Sequence, residues 1–498
     1  MVQRCIGNRR SILTLLLAAL LTLSAVGCGN TTETTDTTVD TAATTAPVET
    51  EPEVTFDSVA QSYHDRDYGG YDFRIGDRSS GDWLTMDVYA EEITGEVIND
   101  AVYNRNMALE DAMNIKIAEI GNDIPANNLK TAVLAGTDEF DTVTEGLSYI
   151  SPLVSQNILL DYRNISTVRA DEPYWDGQLY AESTIMGRSF FMTGDISIMD
   201  NKGTWCMLFN KDIITDNGLE SPYDLVNDGT WTLDKLDEMA KVALTDTDGD
   251  GKWTEADTYG FITEGYNSLA MWSCGGFKIM DSDKDGKPYY TYNSEASLDV
   301  LTRVMEIQYA DYSNVGSKSN VTGGGMGDGA TREKQFANGK ALFYYAGMIN
   351  ITWFRDFDTD FGVLPAPKYT ADQDQYYSSY SYANFTVYVI PTTASDPEMI
   401  GDILDAMANL SMYSLTPAYY DQTLIGKSTR DEESEPMIEL ILNTRNFDLG
   451  IIFNTGTIRD TIMNLSSAEN IASTLATREK TAGTDLEKFI EDVATLAQ

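Results

Sequence analysis

The sequence predicts an α/β protein made of two lobes, and three observations support this fold class. Residues 71–146 alternate between strand-like and helix-like patterns, which is typical of a parallel sheet with helices on its faces. About 445 residues follow the low-complexity N-terminal region, which is too many for one compact core. Strand-like segments recur late, at 341–347 and 384–391, and indicate that the chain returns to its first sheet.

The elements of the first half follow one another in a regular order. The alternating pattern at 71–75 predicts a strand, and the apolar spacing within 99–113 predicts a helix after it. Further strands are predicted at 114–120 and 140–146. The helix between these two strands is expected to end at Gly136, because glycine readily adopts a left-handed C-cap.

A later helix has a clear start. Thr232 is predicted to cap the helix that begins at Leu233, and Leu236 and Ala240 lie on the apolar face of that helix. Trp231 precedes the cap, and we expect its side chain to pack behind it as a structural residue.

The N-terminus has the features of a secretory signal. Three arginines precede the apolar run "SILTLLLAALLTLSAVG". That run is shorter than the roughly 20 apolar residues that span a bilayer comfortably. Residues 1–27 are therefore predicted to be a signal peptide, with a permanent anchor helix as the alternative.

The end of this region predicts a lipid anchor. The stretch Ala25-Val26-Gly27-Cys28 resembles a bacterial lipobox, although Ala25 stands where that motif usually has leucine. We expect Cys28 to carry lipid and to hold the protein on the extracellular face of the cell membrane. The alternative is ordinary cleavage beside an unmodified cysteine. Residues 28–53 are predicted to be a disordered, threonine-rich tether, because they contain too few apolar groups to offset the entropy of ordering.

Composition excludes several classes of function. The formal net charge is −44, so nucleic acid would be repelled and docking onto anionic lipid is disfavoured. Like charge on every copy also favours a monomer. The sequence contains one histidine, His64, and no HExxH, Walker or cysteine-based zinc motif. After Cys28, Cys206 and Cys274 remain, and the sequence leaves open whether they pair.

A series of phrases, in order along residues 68–450, resembles the carbohydrate-type extracellular solute-binding proteins of bacterial ABC importers, the group that includes maltose-binding protein. The phrases are "AVLAGTDEFDTV", "MLFNKDIITDNGLESPYDLVNDGTWTLDKLDEMAK", "DTDGDGKWTEADTYGF", "FANGKALFYYAG", "FGVLPAPKY" and "ANFTVYVIPTTASDPEMIGDILDAM". The resemblance implies a periplasmic-binding-protein-like fold, in which two lobes are joined by three hinge crossings and ligand binds in the cleft between them. It implies no catalysis and no required cofactor, with ATP hydrolysis assigned to another subunit beside the membrane permease.

The same resemblance sets the expected limits of the lobes. The first lobe is expected to combine 54–197 with 343–388, and the second lobe 198–342 with 389–498. The crossings are expected near 195–205, in "KALFYYAG" and in "TVYVIPTT".

The resemblance also suggests ligand-binding residues. Sugars need aromatic faces for their CH surfaces and carboxylates or amides for their hydroxyls. The expected aromatic contacts are Tyr266, Trp272, Tyr344 and Tyr345. Asp82 and Trp83, in the loop after the first strand, and Glu145, after the third strand, are also expected contacts, because ligands favour the carboxyl ends of parallel strands. Asp195 at the first crossing and Arg445 in "NTRNFDLG" are further candidates. Core packing is the alternative for each aromatic residue.

An acidic loop in "DTDGDGKWTEAD" has the spacing of a calcium site. Asp246, Asp248 and Asp250 alternate, Gly251 stands at the sharp turn, and Asp257 occupies the twelfth position. Calcium usually has glutamate at that position, so this loop is a possible structural calcium site, with a plain acidic turn as the alternative.

Two other functions fit the sequence less closely. Abundant carboxylates are compatible with a surface-anchored carbohydrate-active hydrolase, but one sequence cannot place a catalytic pair. A ligand sensor or an adhesin could use the same fold. The function we expect is a lipid-anchored receptor that captures a sugar or oligosaccharide and delivers it to a permease.

Overall fold

The computed structural model describes residues 54–79, 85–123, 125–315, 331–354, 357–420 and 432–496. The predicted signal peptide, Cys28 and the tether lie outside these ranges, as do Asp82 and Trp83. Among the residues described, no helix combines the length and apolar character that a membrane span requires.

The helices of the described chain are short to medium in length. In chain order they are α1 (Phe56–Gln61), α2 (Val97–Met113), α3 (Pro125–Ala135), α4 (Leu147–Ile150), α5 (Gly177–Glu182), α6 (Met199–Lys202), α7 (Lys211–Asp216), α8 (Pro222–Asn227), α9 (Leu233–Ala243), α10 (Asn267–Ser273), α11 (Glu295–Gln308), α12 (Arg332–Ala337), α13 (Ile349–Trp353), α14 (Pro397–Met412), α15 (Leu415–Pro417), α16 (Ser434–Asn443), α17 (Leu449–Phe453), α18 (Ile458–Met463), α19 (Ile471–Ala476) and α20 (Glu479–Ala494). Short 3-10 turns lie at Ser151–Gln156, Tyr162–Asn164 and Thr455–Thr457.

The strands form two main sheets. They are β1 (Tyr71–Arg78), β2 (Ile115–Asn122), β3 (Thr142–Gly146), β4 (Trp205–Asn210), β5 (Tyr259–Ile262), β6 (Met280–Ser282), β7 (Pro288–Tyr290), β8 (Ser313–Asn314), β9 (Ala341–Gly347), β10 (Phe361–Leu364) and β11 (Thr386–Val389). The first sheet has the order β11-β3-β1-β2, the second has the order β10-β4-β9-β5-β8, and β6 pairs with β7 in a small hairpin.

The first sheet forms the first lobe. Strand β1 runs parallel to both β2 and β3, while β11 joins the edge of β3 in the antiparallel direction. Phe73 and Ile75 on β1 are fully buried with Leu109 of α2 and Met407 of α14. The predicted strand–helix–strand–helix–strand order is therefore present, and it builds the expected parallel core.

The second sheet forms the second lobe. Strand β9 lies at its centre, antiparallel to β4 and parallel to β5. All seven residues of β9 are buried, which explains the continuous apolar pattern of "ALFYYAG". Helices α9 and α12 pack near this sheet.

The chain passes between the lobes at three places in the described residues. It leaves the first lobe after Gly194, returns after Leu364 to form β11, and leaves again after Met412. The first and second passages run side by side, because Trp205 N–H donates to the Ser379 carbonyl and Ser381 N–H donates to the Gly203 carbonyl. These paired segments form the hinge region.

Strand pairing sets lobe limits that differ from those predicted. Strands β9 and β10, placed within the expected 343–388 part of the first lobe, pair in the second sheet. Helix α14, placed within the expected 389–498 part of the second lobe, packs on α1 and α2 of the first lobe. The second and third passages therefore follow β10 and α14. The sequence did not predict these positions, because the pattern of a fully buried strand does not reveal which sheet the strand joins.

Several local predictions are confirmed. The Thr232 side chain accepts the N–H of Lys235 at the start of α9. Gly136 has φ of +69°, as a left-handed cap after α3 requires. Trp231 is fully buried and its Nε1–H donates to the Pro365 carbonyl at 3.0 Å, so it is structural.

Candidate ligand-binding site between the lobes

A pocket lies beside the hinge, between the second lobe and the second passage. Its lining residues are Trp205, Tyr266, Asn267, Leu269, Ala270, Ser379, Tyr380, Tyr382 and Ile451. Ser148 N–H at the start of α4 in the first lobe donates to the Tyr382 carbonyl. Trp205, in the second lobe, is held by the Ser379 carbonyl. The pocket is thus lined by residues of the second lobe and of the second passage, and Tyr382 connects it to the first lobe through Ser148.

Aromatic rings form one wall of this pocket. Trp205 lies 6.3 Å from Tyr266 between ring centroids, and 5.8 Å from Tyr345 in a stacked arrangement. Tyr266 is 39% exposed and lies at the rim, whereas Tyr345 is fully buried behind the indole. The pocket therefore presents the faces of Trp205 and Tyr266, with Tyr345 as their support.

Polar atoms beside these rings have unused hydrogen-bonding capacity. Asn267 donates to Thr263 Oγ1 and to the Tyr345 carbonyl, both at 3.2 Å, which fixes its amide. Within the described part of the chain, Asn267 Oδ1 and Ser379 Oγ are buried without a hydrogen-bond partner. Buried polar groups are normally satisfied, so these two atoms are suited to bind hydroxyl groups of a ligand.

The first lobe contributes an ion pair at the end of β3. Arg78 Nη2 donates to Glu145 Oε1 at 2.6 Å, and Gly146 N–H donates to the same oxygen at 2.8 Å. Glu145 Oε2 has no partner among the described residues. Burial raises the pKa of Glu145, and Arg78 opposes that rise. The guanidinium of Arg78 also lies over the ring of Tyr149, which is 40% exposed.

The second lobe contributes further charged groups. Glu264, just after β5, pairs with Arg332 at 3.0 Å. Burial, together with the Glu264 carboxylate, raises the pKa of Tyr266. The guanidinium of Arg459 lies 4.4 Å from the ring centroid of Tyr382 and donates to the Ile451 carbonyl. Both lobes therefore place charged hydrogen-bonding groups next to aromatic rings.

The pocket is nearly closed in this structure. Its volume is about 10 Å³, which is close to the space of one water molecule. A sugar ring needs far more room, so the walls of the pocket must separate before such a ligand can enter. A larger groove of about 510 Å³, on the first lobe, is lined by Tyr162, Arg163 and Tyr180 among others and has no wall from the second lobe.

Two of the predicted aromatic contacts lie in the core. Trp272 is fully buried, and its Nε1–H donates to the carbonyl and hydroxyl oxygens of Ser297. Tyr344 is also buried, and its hydroxyl donates to Glu333 Oε1 at 3.1 Å. Neither ring reaches the pocket, because each is engaged inside the second lobe, so we assign both to core packing.

Arg445 and Asp195 lie in the hinge region instead of the pocket. Arg445 Nη2 pairs with Asp176 Oδ2 at 2.6 Å, and its Nη1 lies 3.5 Å from Asp200 Oδ2. Asp195 accepts the Thr416 hydroxyl at 2.7 Å, and burial raises the pKa of Asp195 to about 7. These contacts connect segments near the passages, which gives both residues a structural role.

The acidic loop brings together three of its four predicted ligands. Oxygens of Asp246, Asp248 and Asp250 lie within 4.8 Å of one another. Asp257 accepts the backbone N–H groups of Thr247 at 2.9 Å and Thr254 at 2.8 Å. Asp257 therefore fastens the base of the loop, and we do not include it in the proposed ion site.

Sequence reasoning missed several pocket residues. Trp205 stands at the end of the predicted first crossing, and that position was a usable signal for a cleft residue. Asn267 directly follows the predicted contact Tyr266 in the chain. Ser379, Tyr382 and Arg459 had no such signal, because only the folded hinge brings them to the pocket. Both described cysteines, Cys206 and Cys274, are buried free thiols.

Comparison with known proteins supports the fold. Neither family models nor curated protein sequences give a match. Among solved structures, the chain is similar to an ABC substrate-binding protein from Listeria monocytogenes in complex with cycloalternan, with TM-score 0.51, 14% identity, and coverage of 86% of this chain and 98% of that one. It is also similar to a cyclo/maltodextrin-binding protein complexed with maltotetraose, with TM-score 0.53, 13% identity, and coverage of 86% and 98%.

A third similar structure is the maltose/maltodextrin-binding domain MalE from Bdellovibrio bacteriovorus bound to maltotriose, with TM-score 0.50, 12% identity, and coverage of 85% and 99%. Two sheets, passages between them and a pocket at the hinge define the class: the chain has the two-lobed, periplasmic-binding-protein-like fold of solute-binding proteins. The alignments cover 98–99% of each similar chain, so the likeness in fold extends over both lobes.

Proposed function

We propose that this protein is the extracellular substrate-binding component of an ABC importer and that it captures a sugar or oligosaccharide between its lobes. One observation carries the proposal. The pocket at the hinge combines aromatic faces, on Trp205 and Tyr266, with unused polar atoms on Asn267 and Ser379. An aromatic face packs against sugar CH groups, and fixed polar atoms bind sugar hydroxyls.

The nature of the similar structures supports a carbohydrate ligand. Their bound molecules are cycloalternan, maltotetraose and maltotriose. These ligands belong to those proteins, and identities of 12–14% leave the ligand of this chain to be determined. We therefore propose the class of ligand and not a particular sugar.

Binding would proceed by movement of the lobes about the hinge. A pocket of about 10 Å³ is too small for a sugar ring, so the proposal requires an open form, and ligand would stabilise the closed form by touching both lobes. Small-angle scattering should show a larger radius of gyration without ligand than with it. Identical profiles in the presence of a ligand that binds would contradict closure.

The binding test uses a panel of mono- and oligosaccharides. Thermal shift finds the ligands, because a ligand that binds only the folded protein raises the melting temperature, and isothermal titration calorimetry then measures affinity. Tyr266→Ala should weaken binding at least about tenfold. Tyr289→Ala is the matched control, because Tyr289 on β7 is 46% exposed and outside the pocket. Equal losses in both variants would contradict the proposed site.

The lipid anchor, the location and the permease are part of the same proposal. A mature protein anchored through Cys28 would stay with the cell membrane, and the 28–53 tether would let its lobes reach a permease. Cys28→Ser should move the protein from the membrane fraction to the medium without changing sugar affinity. Retention of this variant in the membrane fraction would contradict the anchor.

We propose no catalysis. Binding without turnover should be seen when each candidate sugar is incubated with the protein and the products are separated by chromatography. Cleavage of a glycosidic bond would favour the alternative of a surface-anchored hydrolase. Failure of a permease-deficient strain to import the sugar, with binding intact, would distinguish an importer from a sensor or an adhesin.

A further inference from the structure

The two lobes also contact each other at the end of helix α5. Glu182, the last residue of α5 in the first lobe, accepts two hydrogen bonds from the second lobe on Oε2. Lys278 Nζ donates at 3.1 Å and the Phe447 N–H donates at 2.9 Å. The side chain of Glu182 is 31% exposed and that of Lys278 is 25% exposed. One carboxylate oxygen thus joins the first lobe to two separate segments of the second lobe.

A second contact joins two tight turns, one from each lobe. Met186 and Gly187 in the first lobe have φ of +50° and +79°, and Gly286 in the turn of the β6–β7 hairpin has φ of +75°. The Met186 N–H donates to the Gly286 carbonyl at 2.9 Å. A Cβ atom at position 286 would lie only 3.2 Å from the Met186 nitrogen, so glycine allows this close approach of the two backbones.

A third contact lies beside the sugar pocket. The Ser151 hydroxyl of the first lobe donates to the Ile452 carbonyl of α17 at 2.6 Å, and both residues are buried. Ile451, the preceding residue, lines the pocket. Residues 447–452 therefore contact the first lobe at both ends and line the pocket between them. We define the interlobe latch by these residues: Ser151, Glu182, Met186, Lys278, Gly286, Phe447 and Ile452.

The second-lobe side of the interlobe latch is held together by one buried carboxylate. Asp448 accepts the N–H groups of Ile279 at 2.5 Å and Met280 at 3.0 Å, at the base of the β6–β7 hairpin. It also accepts the Gly450 N–H in α17 at 2.7 Å. Hydrogen bonds to an ionised or partly ionised carboxyl group are strong. The hairpin and the pocket wall should therefore move together when the lobes separate.

The interlobe latch lies away from the hinge. Asp176, at the start of α5, pairs with Arg445 in the hinge region. Helix α5 is six residues long, so Glu182 lies about 9 Å beyond that pair at 1.5 Å per residue. A rotation of one lobe against the other preserves contacts close to the hinge and separates groups further from it. Opening of the pocket is therefore expected to break the latch contacts.

We propose that the interlobe latch stabilises the closed form of this protein and thereby sets the affinity of the sugar pocket. The latch contacts are made in the same structure in which the pocket is only about 10 Å³. The effect on lobe opening is a property of the protein alone, whereas the effect on affinity rests on the proposed function.

A latch of this kind has a characteristic effect on binding. A sugar that needs the closed form binds less tightly when that form is less populated, in proportion to the fraction that remains closed. Glu182 lies outside the pocket lining, so its loss should weaken the binding of every sugar by the same factor. Loss of a pocket residue such as Trp205 should affect different sugars to different extents, because that residue contacts each sugar directly.

The first test needs no sugar. Amide hydrogen exchange, followed by mass spectrometry, reports how often the N–H groups of Met186 and Phe447 open. Glu182→Ala removes the acceptor of the Phe447 N–H and leaves the acceptor of the Met186 N–H intact. If the latch opens as one unit, both amides should exchange at least about fivefold faster than in the parent protein. Lys284→Ala is the matched control and should change neither rate, because Lys284 on the same hairpin is 86% exposed and pairs with Asp285.

The second test measures affinity by calorimetry for each sugar that binds the parent protein. Glu182→Ala should weaken binding at least about fivefold, and by the same factor for each sugar. Lys278→Ala should act in the same direction with a smaller effect, because the hydrogen bond from Phe447 to Glu182 remains. This second variant decides the question if Glu182→Ala does not fold.

Three results would overturn the interlobe latch. The first is faster exchange at Phe447 alone, because the contacts would then open independently. The second is an affinity that stays the same or rises in Glu182→Ala, and the third is a loss that differs from sugar to sugar. If no sugar binds the parent protein, the proposed function fails, and the exchange experiment still decides whether the latch holds the lobes together.

Discussion

The indole of Trp205 stacks on the ring of Tyr345, with centroids 5.8 Å apart and planes 24° from parallel. The two residues lie on adjacent strands of the second sheet, and Tyr345 is fixed in the core beside Cys274, with Sγ 3.6 Å from the Tyr345 hydroxyl. Trp205 is consequently held in place before a ligand arrives. A rigid platform loses little conformational entropy on binding, which favours affinity.

Replacing this platform should weaken sugar binding. Trp205→Ala removes the stacking face, and we expect affinity to fall at least tenfold, a loss of at least about 1.4 kcal/mol. Titration calorimetry with the best ligand of the panel measures the change. Trp253→Ala is the control, because Trp253 is 39% exposed outside the pocket. An unchanged affinity in Trp205→Ala would exclude the indole from the binding site.

Arg445 should matter for stability instead of ligand contact. Arg445→Ala leaves Asp176 and Asp200 buried without their partner, and breaking such a pair costs about 3–5 kcal/mol. Chemical denaturation should show this loss in the free energy of unfolding. Lys488→Ala, which removes a surface pair on α20, should change stability little. A stable Arg445→Ala protein that fails to bind sugar would restore Arg445 as a ligand contact.

Stability should increase as the pH falls from 8 to 5. Burial raises the pKa of Asp195 and of Asp200 from 3.8 to about 7 in the folded protein. A raised pKa means that folding favours the protonated form, so this stability is complete below about pH 4 and is lost as the pH rises through 7. Calorimetry at pH 5, 6, 7 and 8 should show a falling melting temperature.

A variant separates this effect from the general repulsion of a protein with net charge −44. Asp195→Asn cannot ionise, so it should flatten part of the pH dependence. Asp285→Asn, whose side chain is 72% exposed, should leave the slope almost as it is. Parallel curves for all three proteins would show that Asp195 does not contribute.

The acidic loop should bind calcium if its three clustered carboxylates act together. The parent protein, stripped of metal, should give heat with Ca²⁺ in a calorimetric titration, and Asp248→Asn should reduce that heat because it removes one ligand charge. Asp281→Asn is the control, because Asp281 lies on β6 at the start of "DSDKDG", which has the same spacing of aspartates as "DTDGDG" in the acidic loop. If the metal-free parent protein gives no heat with Ca²⁺, or if Asp248→Asn gives the same heat as the parent protein, the loop is not a calcium site.

The sequence alone predicted several of the elements and the two-lobed architecture. Local features depend only on residues that are close in the chain, and the predicted ones are present in the structure. They are the period-2 and period-3.6 apolar patterns, the Thr232 N-cap and the left-handed cap at Gly136. The phrases shared with solute-binding proteins predicted two lobes with passages between them. The net charge of −44 excluded nucleic-acid binding. That inference needs no knowledge of the fold, because repulsion between the protein and a polyanion depends mainly on net charge.

Only the tertiary structure decided which strands share a sheet and which side chains meet in the pocket. "ALFYYAG" is apolar throughout, so its sequence is the same whether it crosses between lobes or lies at the centre of the second sheet. Trp272 and Trp205 are equally aromatic in sequence, yet one is enclosed by α11 and the other faces the hinge. Burial and long-range contact depend on residues far apart in the chain, and local patterns contain no information about those distances.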